Sequence, residues 1–275
     1  MQEILTQVRE RVPLTHCITN RVTINDCANV LLACGATPTM AGAEQEVEEI
    51  VSIADALVLN LGNLHDSAIR AMRRAGRRAN ELGIPVVLDP VGVGASHYRA
   101  QAAHALMEEI RFSVIRGNAS EIRVAGGGTG AARGVDASAQ DAVTADSLER
   151  DIAFMRAFSA RSGAVIAVSG VTDLVSDDRR TALIRGGHPM LSRVTGTGCM
   201  LSAMTGAFCG AAPDRIFEAA AAACAAMDVA GERAFEKTQA VQGGTGSFRM
   251  YLMDEISLMN ETILAGGMNI EIRYA

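Results

Sequence analysis

The chain has 275 residues, enough for one large core, and is 49% hydrophobic but only 4% aromatic with no Trp, so that core is built from Ala, Val, Ile, Leu and Met. Its formal charge of −6 argues against a nucleic-acid surface or an anionic membrane as the main partner. A phosphate-bearing ligand stays open to such a protein, held by local helix ends, a few Arg and a metal.

Met1-Gln2-Glu3-Ile4-Leu5 lacks a basic stretch followed by an apolar one, so no secretory signal is expected. The Ala-rich stretch Ala219–Ala226 is too short to span a bilayer and is flanked by Asp214, Arg215, Glu218 and Asp228. Cys17, Cys27, Cys34, Cys199, Cys209 and Cys224 form no Cys-x-x-Cys pair and no zinc-like spacing. A cytoplasmic protein with free thiols, most of them small core residues, is the expectation.

In chain order, Ile4, Leu5, Val8 and Val12 share one face of a short helix that Pro13 ends. Leu14–Asn20 reads as a strand giving way to a polar loop with Asn20, Arg21, Thr23 and Asn25. Asn25 or Asp26 can cap a helix Cys27–Cys34, which Gly35 stops. Ala36–Met40 reads as a short strand, followed by an acidic helix start at Glu44–Glu49. The polar loop and Met40 thus fall near strand ends, where open α/β sheets bind ligands, although core filling alone accounts for a Met there.

A regular strand–helix rhythm follows. Ala56–Leu61 has the length and apolarity of a buried strand, and Asp66 can cap a helix to Leu82. Arg70, Arg73, Arg74, Arg77 and Arg78 on that helix read as a solvated face or a subunit contact. Pro85–Pro90 is a second buried strand, ending in Asp89 and the loop Val91-Gly92-Val93-Gly94. A helix Tyr98–Ile110 leads to a strand Phe112–Ile115, which delivers Arg116, Asn118 and Glu121. This alternation predicts an α/β single domain of three αβα layers with a mostly parallel central sheet. Asp89 and Glu121, leaving neighbouring strands, are candidates to share a Mg²⁺ ion; each alone serves equally as a helix cap or salt-bridge partner.

The Gly-rich residues 125–142 read as a surface loop, before a helix Asp146–Ser162 capped by Thr144 or Asp146. A strand Ala164–Gly170 precedes an antiparallel run, Asp173–Val175, Thr181–Arg185 and Met190–Val194. Then comes Val194-Thr195-Gly196-Thr197-Gly198-Cys199-Met200-Leu201-Ser202, a switch from strand into an apolar helix over Met200–Phe208. A helix start carries unpaired N–H donors and partial positive charge, and glycine at 196 and 198 lets a phosphate approach the main chain. Cys199 would sit in the first turn, aimed at whatever bears that anion; an ordinary tight turn with a buried Cys is the alternative. Pro213 suits the first turn of a helix Asp214–Lys237. Gly243–Ser247 opens a last helix, Phe248–Leu264, and Ile270–Ala275 reads as an edge strand.

Leu59-Asn60-Leu61-Gly62, Leu88-Asp89-Pro90-Val91-Gly92-Val93-Gly94, Arg116-Gly117-Asn118-Ala119-Ser120-Glu121, Val168-Ser169-Gly170 and Thr195-Gly196-Thr197-Gly198-Cys199 occur in this order. With Ile18-Thr19-Asn20 and the Ala36–Met40 strand, they resemble the hydroxyethylthiazole kinases, a family of the ribokinase-like fold, from Pro13 to near Asn260. The resemblance implies ATP-dependent phosphorylation of the hydroxyethyl group of 4-methyl-5-(2-hydroxyethyl)thiazole in thiamine salvage, with Mg²⁺. It also implies a homotrimer with active sites between subunits. Met40 and Gly196, with Asn25, match thiazole-site residues; Arg116, Ser169, Thr195 and Gly198 match nucleotide contacts, Ser169 standing where the family more often has Thr.

Cys199 fills the place where sugar kinases of this fold carry an Asp base. A thiol of reference pKa near 8.5 is only a few per cent ionised at pH 7. A helix N-terminus lowers that value and a bound phosphate raises it, so weak base and pocket wall both stay open for Cys199. The rival readings are another ribokinase-fold enzyme, such as a pyrimidine kinase or a nucleotide-dependent hydrate dehydratase, and a non-enzymatic nucleotide-binding regulator.

Overall fold

The runs of Val, Leu and Ile that read as buried strands form the middle of a nine-stranded sheet in the computed structural model, which describes residues 1–128 and 147–275. The strands are β1 (Leu14–Ile18), β2 (Thr37–Thr39), β3 (Ala56–Asn60), β4 (Val86–Asp89), β5 (Val114–Asn118), β6 (Val165–Ser169), β7 (Thr172–Ser176), β8 (Arg180–Arg185) and β9 (Asn269–Tyr274). They lie in the order β2-β1-β3-β4-β5-β6-β7-β8-β9. Pairing is parallel from β2 through β6 and antiparallel from β6 through β9.

Every residue of β3 and β4 is buried, because helices cover both faces of the sheet. Alternate strand residues feed two separate cores. Val58, Val87 and Val114 face α1 (Gln2–Arg11), α2 (Ile24–Cys34), α8 (Thr197–Ala211), α9 (Ile216–Ala240) and α10 (Thr245–Leu258). Leu57, Leu59, Val86, Leu88 and Ile115 face α3 (Val47–Ser52), α4 (Asp66–Leu82), α5 (His97–Glu109), α6 (Ala119–Ala125) and α7 (Leu148–Ser162). The expected three-layer α/β architecture is therefore observed. Helix α8 is buried on nearly every side from Met200 to Cys209, as an all-round apolar helix must be. Among the described residues no helix is long and apolar enough to cross a membrane.

Several local expectations are corrected. Met190–Val194 is not a strand: Pro189–Arg193 forms a 3₁₀ turn, with Pro189 at its start and the His188 side chain accepting from the Met190 N–H. Proline brings no N–H to a ladder, and the free edge of β8 is taken instead by β9, paired from Arg185–Asn269 to Arg180–Tyr274. Strand β5 runs on to Asn118, so Arg116 belongs to the strand and not to the loop after it. His65, not Asp66, caps α4 by accepting from the Ala68 N–H.

Thr23 precedes α2 without a side-chain cap bond; Asn25 and Asp26 fall in the first turn, and Asp26 is bound by Arg249 of α10. Helix α9 starts at Ile216, beyond Pro213. The last predicted helix is two: it breaks at Met259, and Asn260 caps α11 (Glu261–Gly267) by accepting from the Ile263 N–H. The proposed caps Thr144 and Asp146, and most of the 125–142 loop, lie outside the described residues.

Candidate active site

The parallel strands end along one edge of the sheet, and each hands over a polar group there. Asn60 closes β3 in register with Asp89 at the end of β4, and Asn118 closes β5 in register with Ser169 at the end of β6. Asn20 follows β1. The start of α8 meets this row. Gly196 takes the N-cap position at φ 93°, a left-handed conformation that favours glycine, and a Cβ there would stand 2.8 Å from Thr23 Cγ2. No side chain caps α8, so the N–H groups of its first turn are free of a competing cap.

A chain of hydrogen bonds links the row. Asn20 Nδ2 donates to Asn60 Oδ1 at 3.0 Å, and Asn60 Nδ2 donates to Asp89 Oδ2 at 2.7 Å. Ser202 Oγ, one turn into α8, donates to the same Asp89 Oδ2 at 2.7 Å. Asp89 Oδ1 is buried with no partner. Burial pushes the Asp89 carboxyl up, while Arg116, Ser202 and Asn60 pull it back.

Glu121 serves as a helix cap, one of the roles its sequence position allowed. It completes the capping box of α6, its Oε2 accepting from the Asn118 N–H and its Oε1 from the Gly92 N–H, both at 2.9 Å. It also lies within electrostatic reach of Asp89: burial and then that neighbouring carboxylate push Glu121 up to about 7. Among the described residues no group of three or more His, Cys, Asp and Glu is arranged to hold a metal. Mg²⁺ asks for less, one or two carboxylates with water and phosphate completing the shell. The bare Oδ1 of Asp89 fits that demand, with Glu121, already bonded by two backbone donors, as its weaker companion.

Arg116 is buried and ties the glycine loop to β6. Its Nη1 donates to Gly198 O at 2.8 Å and its Nη2 to Ser169 Oγ at 2.5 Å. A Cβ on Gly198 would stand 3.1 Å from Nη1, so glycine lets the guanidinium come this close. Arg116, Ser169 and Gly198 are thereby brought together, whereas Thr195 is exposed beside them.

Cys199 is half-buried in the first turn of α8 and receives two amide donors, Asn60 Nδ2 at 3.2 Å and Asn20 Nδ2 at 3.4 Å. Burial pushes its thiol up, and Asp89 adds to the shift; hydrogen bonds from Thr23, Asn60 and Asn20 offset only part of it. The lowering expected from a helix N-terminus does not win. A carboxylate and a closed pocket outweigh partial charges at a helix end, and Cys199 is a thiol at neutral pH. Met40 is half-buried against the same apolar cluster as Cys199. Asn25 is exposed, its Oδ1 accepting from Asn29, and no bond joins it to the row.

The sequence assigns no site role to Asn60 or Ser202, and it places Asn20 in the polar loop after β1 without giving it a partner. One signal was present, since Asn60 closes an apolar run as Asp89 does. Two further buried carboxyls lie along the β7–β8 side. Asp173 accepts from the Gly170 N–H at 2.9 Å, and Asp228 sits under the Gly186–Gly187 turn. Burial pushes both up, and Asp228 is raised further by Asp173.

The sequence model of the hydroxyethylthiazole kinase family matches residues 5–261. Hydroxyethylthiazole kinase of Clostridium acetobutylicum is 48% identical over 256 residues, covering 93% of each chain. The solved structure of a hydroxyethylthiazole kinase protein from Pyrococcus horikoshii superposes with a TM-score of 0.86 at 37% identity, over 100% of this chain and 98% of that one. A ribokinase-like superfamily protein from Enterococcus faecalis shares the fold alone, with a TM-score of 0.60 at 11% identity over 95% of both chains. A match that runs nearly end to end, in sequence and in backbone, places this chain in the hydroxyethylthiazole kinase family.

Proposed function

We propose that this chain, as one kinase domain over residues 1–275, transfers the γ-phosphoryl group of ATP to the hydroxyl of 4-methyl-5-(2-hydroxyethyl)thiazole. Family membership supports the acceptor. The observation that carries the placement of the chemistry is the uncapped start of α8 set beside the unpartnered Oδ1 of Asp89.

The reaction forms an oxygen–phosphorus bond to the alcohol and breaks the one to ADP. Its loose transition state asks for in-line placement and charge stabilisation more than covalent help. The backbone N–H groups at the start of α8 face the transferring phosphoryl, where they stabilise the charge on its oxygens. Arg116 holds Gly198 and Ser169 in fixed relation, so the phosphate cradle and the β6 end of the nucleotide site stay in register. Asp89, with Glu121 beside it, would hold Mg²⁺, which when bound neutralises phosphate charge. Met40 and Gly196 flank the thiazole ring, and Cys199 walls the pocket as a neutral thiol. The protein would work in the cytoplasm, in keeping with six cysteines that are all free thiols.

ATP turnover by the purified protein is expected only when the thiazole alcohol is present, with one ADP formed per phosphorylated alcohol. Equal ADP release without the alcohol, or phosphorylation of a pyrimidine alcohol in its place, overturns this reading.

Asn25 enters the reading through a homotrimer in which it reaches the site of a neighbouring subunit; its exposure in the single chain leaves it available for that. Asn25→Ala and Asp89→Asn are each expected to be nearly inactive alone. Co-assembled in equal amounts they should recover about a quarter of full turnover, since each interface draws one residue at random from each pool. No recovery in demonstrated mixed oligomers would place both residues in one chain's site.

A further inference from the structure

His16 lies in β1, in register with Thr39 of β2, and is fully buried. Its Nε2 is 2.7 Å from the carbonyl oxygen of Ala41. A carbonyl only accepts, so Nε2 carries the proton and donates. Burial pushes the ring's pKa down, against weaker opposing pulls from the Ala41 bond and from Glu46, so the imidazole is neutral. Its other nitrogen, Nδ1, is then a bare acceptor, and it is buried without a partner. An apolar side chain in this position would avoid that loss, and buried polar groups left unpaired call for a reason.

The segment that His16 grips supplies the reason. Strand β2 has only three residues, and the chain after it has no regular structure until the turn before α3. Among the described residues, the bond from His16 is the one hydrogen bond made by Met40, Ala41 or Gly42. Met40 therefore lies between the end of β2, where Thr39 pairs with β1, and the His16 bond at Ala41, with its side chain packed against the core.

We propose that His16 is a positioning residue for the acceptor alcohol: by fixing the Ala41 carbonyl it sets where Met40 stands in the pocket wall. This rests on the thiazole-side placement of Met40 given above. The nucleotide end of the site, around Arg116 and Ser169, lies on other strands and shares no bond with His16.

The test compares His16→Phe, which keeps ring volume without the donor, with His16→Gln, which returns an amide donor at similar reach. His16→Phe should raise KM for the thiazole alcohol about 3- to 10-fold, the span of one net hydrogen bond, with KM for ATP nearly unchanged. His16→Gln should restore most of the loss. If His16→Phe does not fold, His16→Asn, whose amide is too short for the carbonyl, takes its place in the comparison. A parallel readout uses methyl-labelled methionine NMR, with Met40→Leu identifying the Met40 signal. That signal should move in the donor-less variant and return in His16→Gln. A Met40 signal that stays in place, or KM values for both substrates rising together, overturns the proposal. If the parent protein does not phosphorylate the alcohol, the functional reading falls, and the NMR comparison still decides for or against His16.

Discussion

Asp89→Asn lowers kcat by about a hundredfold or more, in the range lost when a charge-stabilising group is removed from a phosphoryl-transfer site. The substitution preserves shape and leaves an oxygen to accept from Ser202 or Asn60, but it removes the charge and the bare acceptor at Oδ1. Stability should move the other way or not at all. Burial pushes the Asp89 carboxyl up despite Arg116, so the ionised form is held at net cost in the free protein, and an amide escapes it. Kinetic loss together with a retained or raised melting temperature is the signature of a group kept for function.

Glu121→Gln should be milder in catalysis and worse for the fold. Gln cannot accept from both the Gly92 and Asn118 N–H groups, which now share the two Glu121 oxygens. The check is a Mg²⁺ titration of all three proteins at saturating substrates, beside thermal melts. An Asp89→Asn enzyme with parent-like turnover across that titration overturns the proposed Mg²⁺ role of Asp89.

The second large effect concerns Cys199, where two substitutions of opposite character separate two roles. As a neutral wall residue, Cys199→Ala should lose less than about tenfold in kcat, below the roughly 10²–10⁴ that general acid–base catalysis supplies. Cys199→Asp should be far worse. It sets a second carboxylate beside Asp89, in a buried pocket whose existing charge already pushes the thiol up. Like charges so placed oppose ionisation of one another and repel an incoming phosphate. KM for the alcohol and for ATP, measured with kcat in both variants, decides the matter. Full activity in the Asp variant with a loss of a hundredfold or more in the Ala variant would make position 199 the base.

The pattern of apolar runs decided most of the architecture. Ala56–Leu61 and Pro85–Pro90 are too apolar and too short to be anything but strands buried on both faces, and α4 with its Arg-bearing outer side can only lie on the sheet's surface. Asp89, the glycines at 196 and 198 and Cys199 were legible for a related reason. A polar residue that closes an apolar strand, or a glycine pair that opens an apolar helix, is pinned to the sheet's ligand-binding edge by topology alone.

What the sequence could not supply was lateral distance. That Asn20 and Asn60 would both point at Cys199, that Ser202 would reach Asp89 and that Arg116 would grip Gly198 depends on strand order and on where α8 lands. The same holds for Pro189–Arg193, whose course was decided when β9, far away in the chain, took the edge of β8. Protonation states belong to this second group too. Local sequence places Cys199 at a helix start, which favours a thiolate, and only the folded chain brings the burial and the Asp89 charge that reverse the preference.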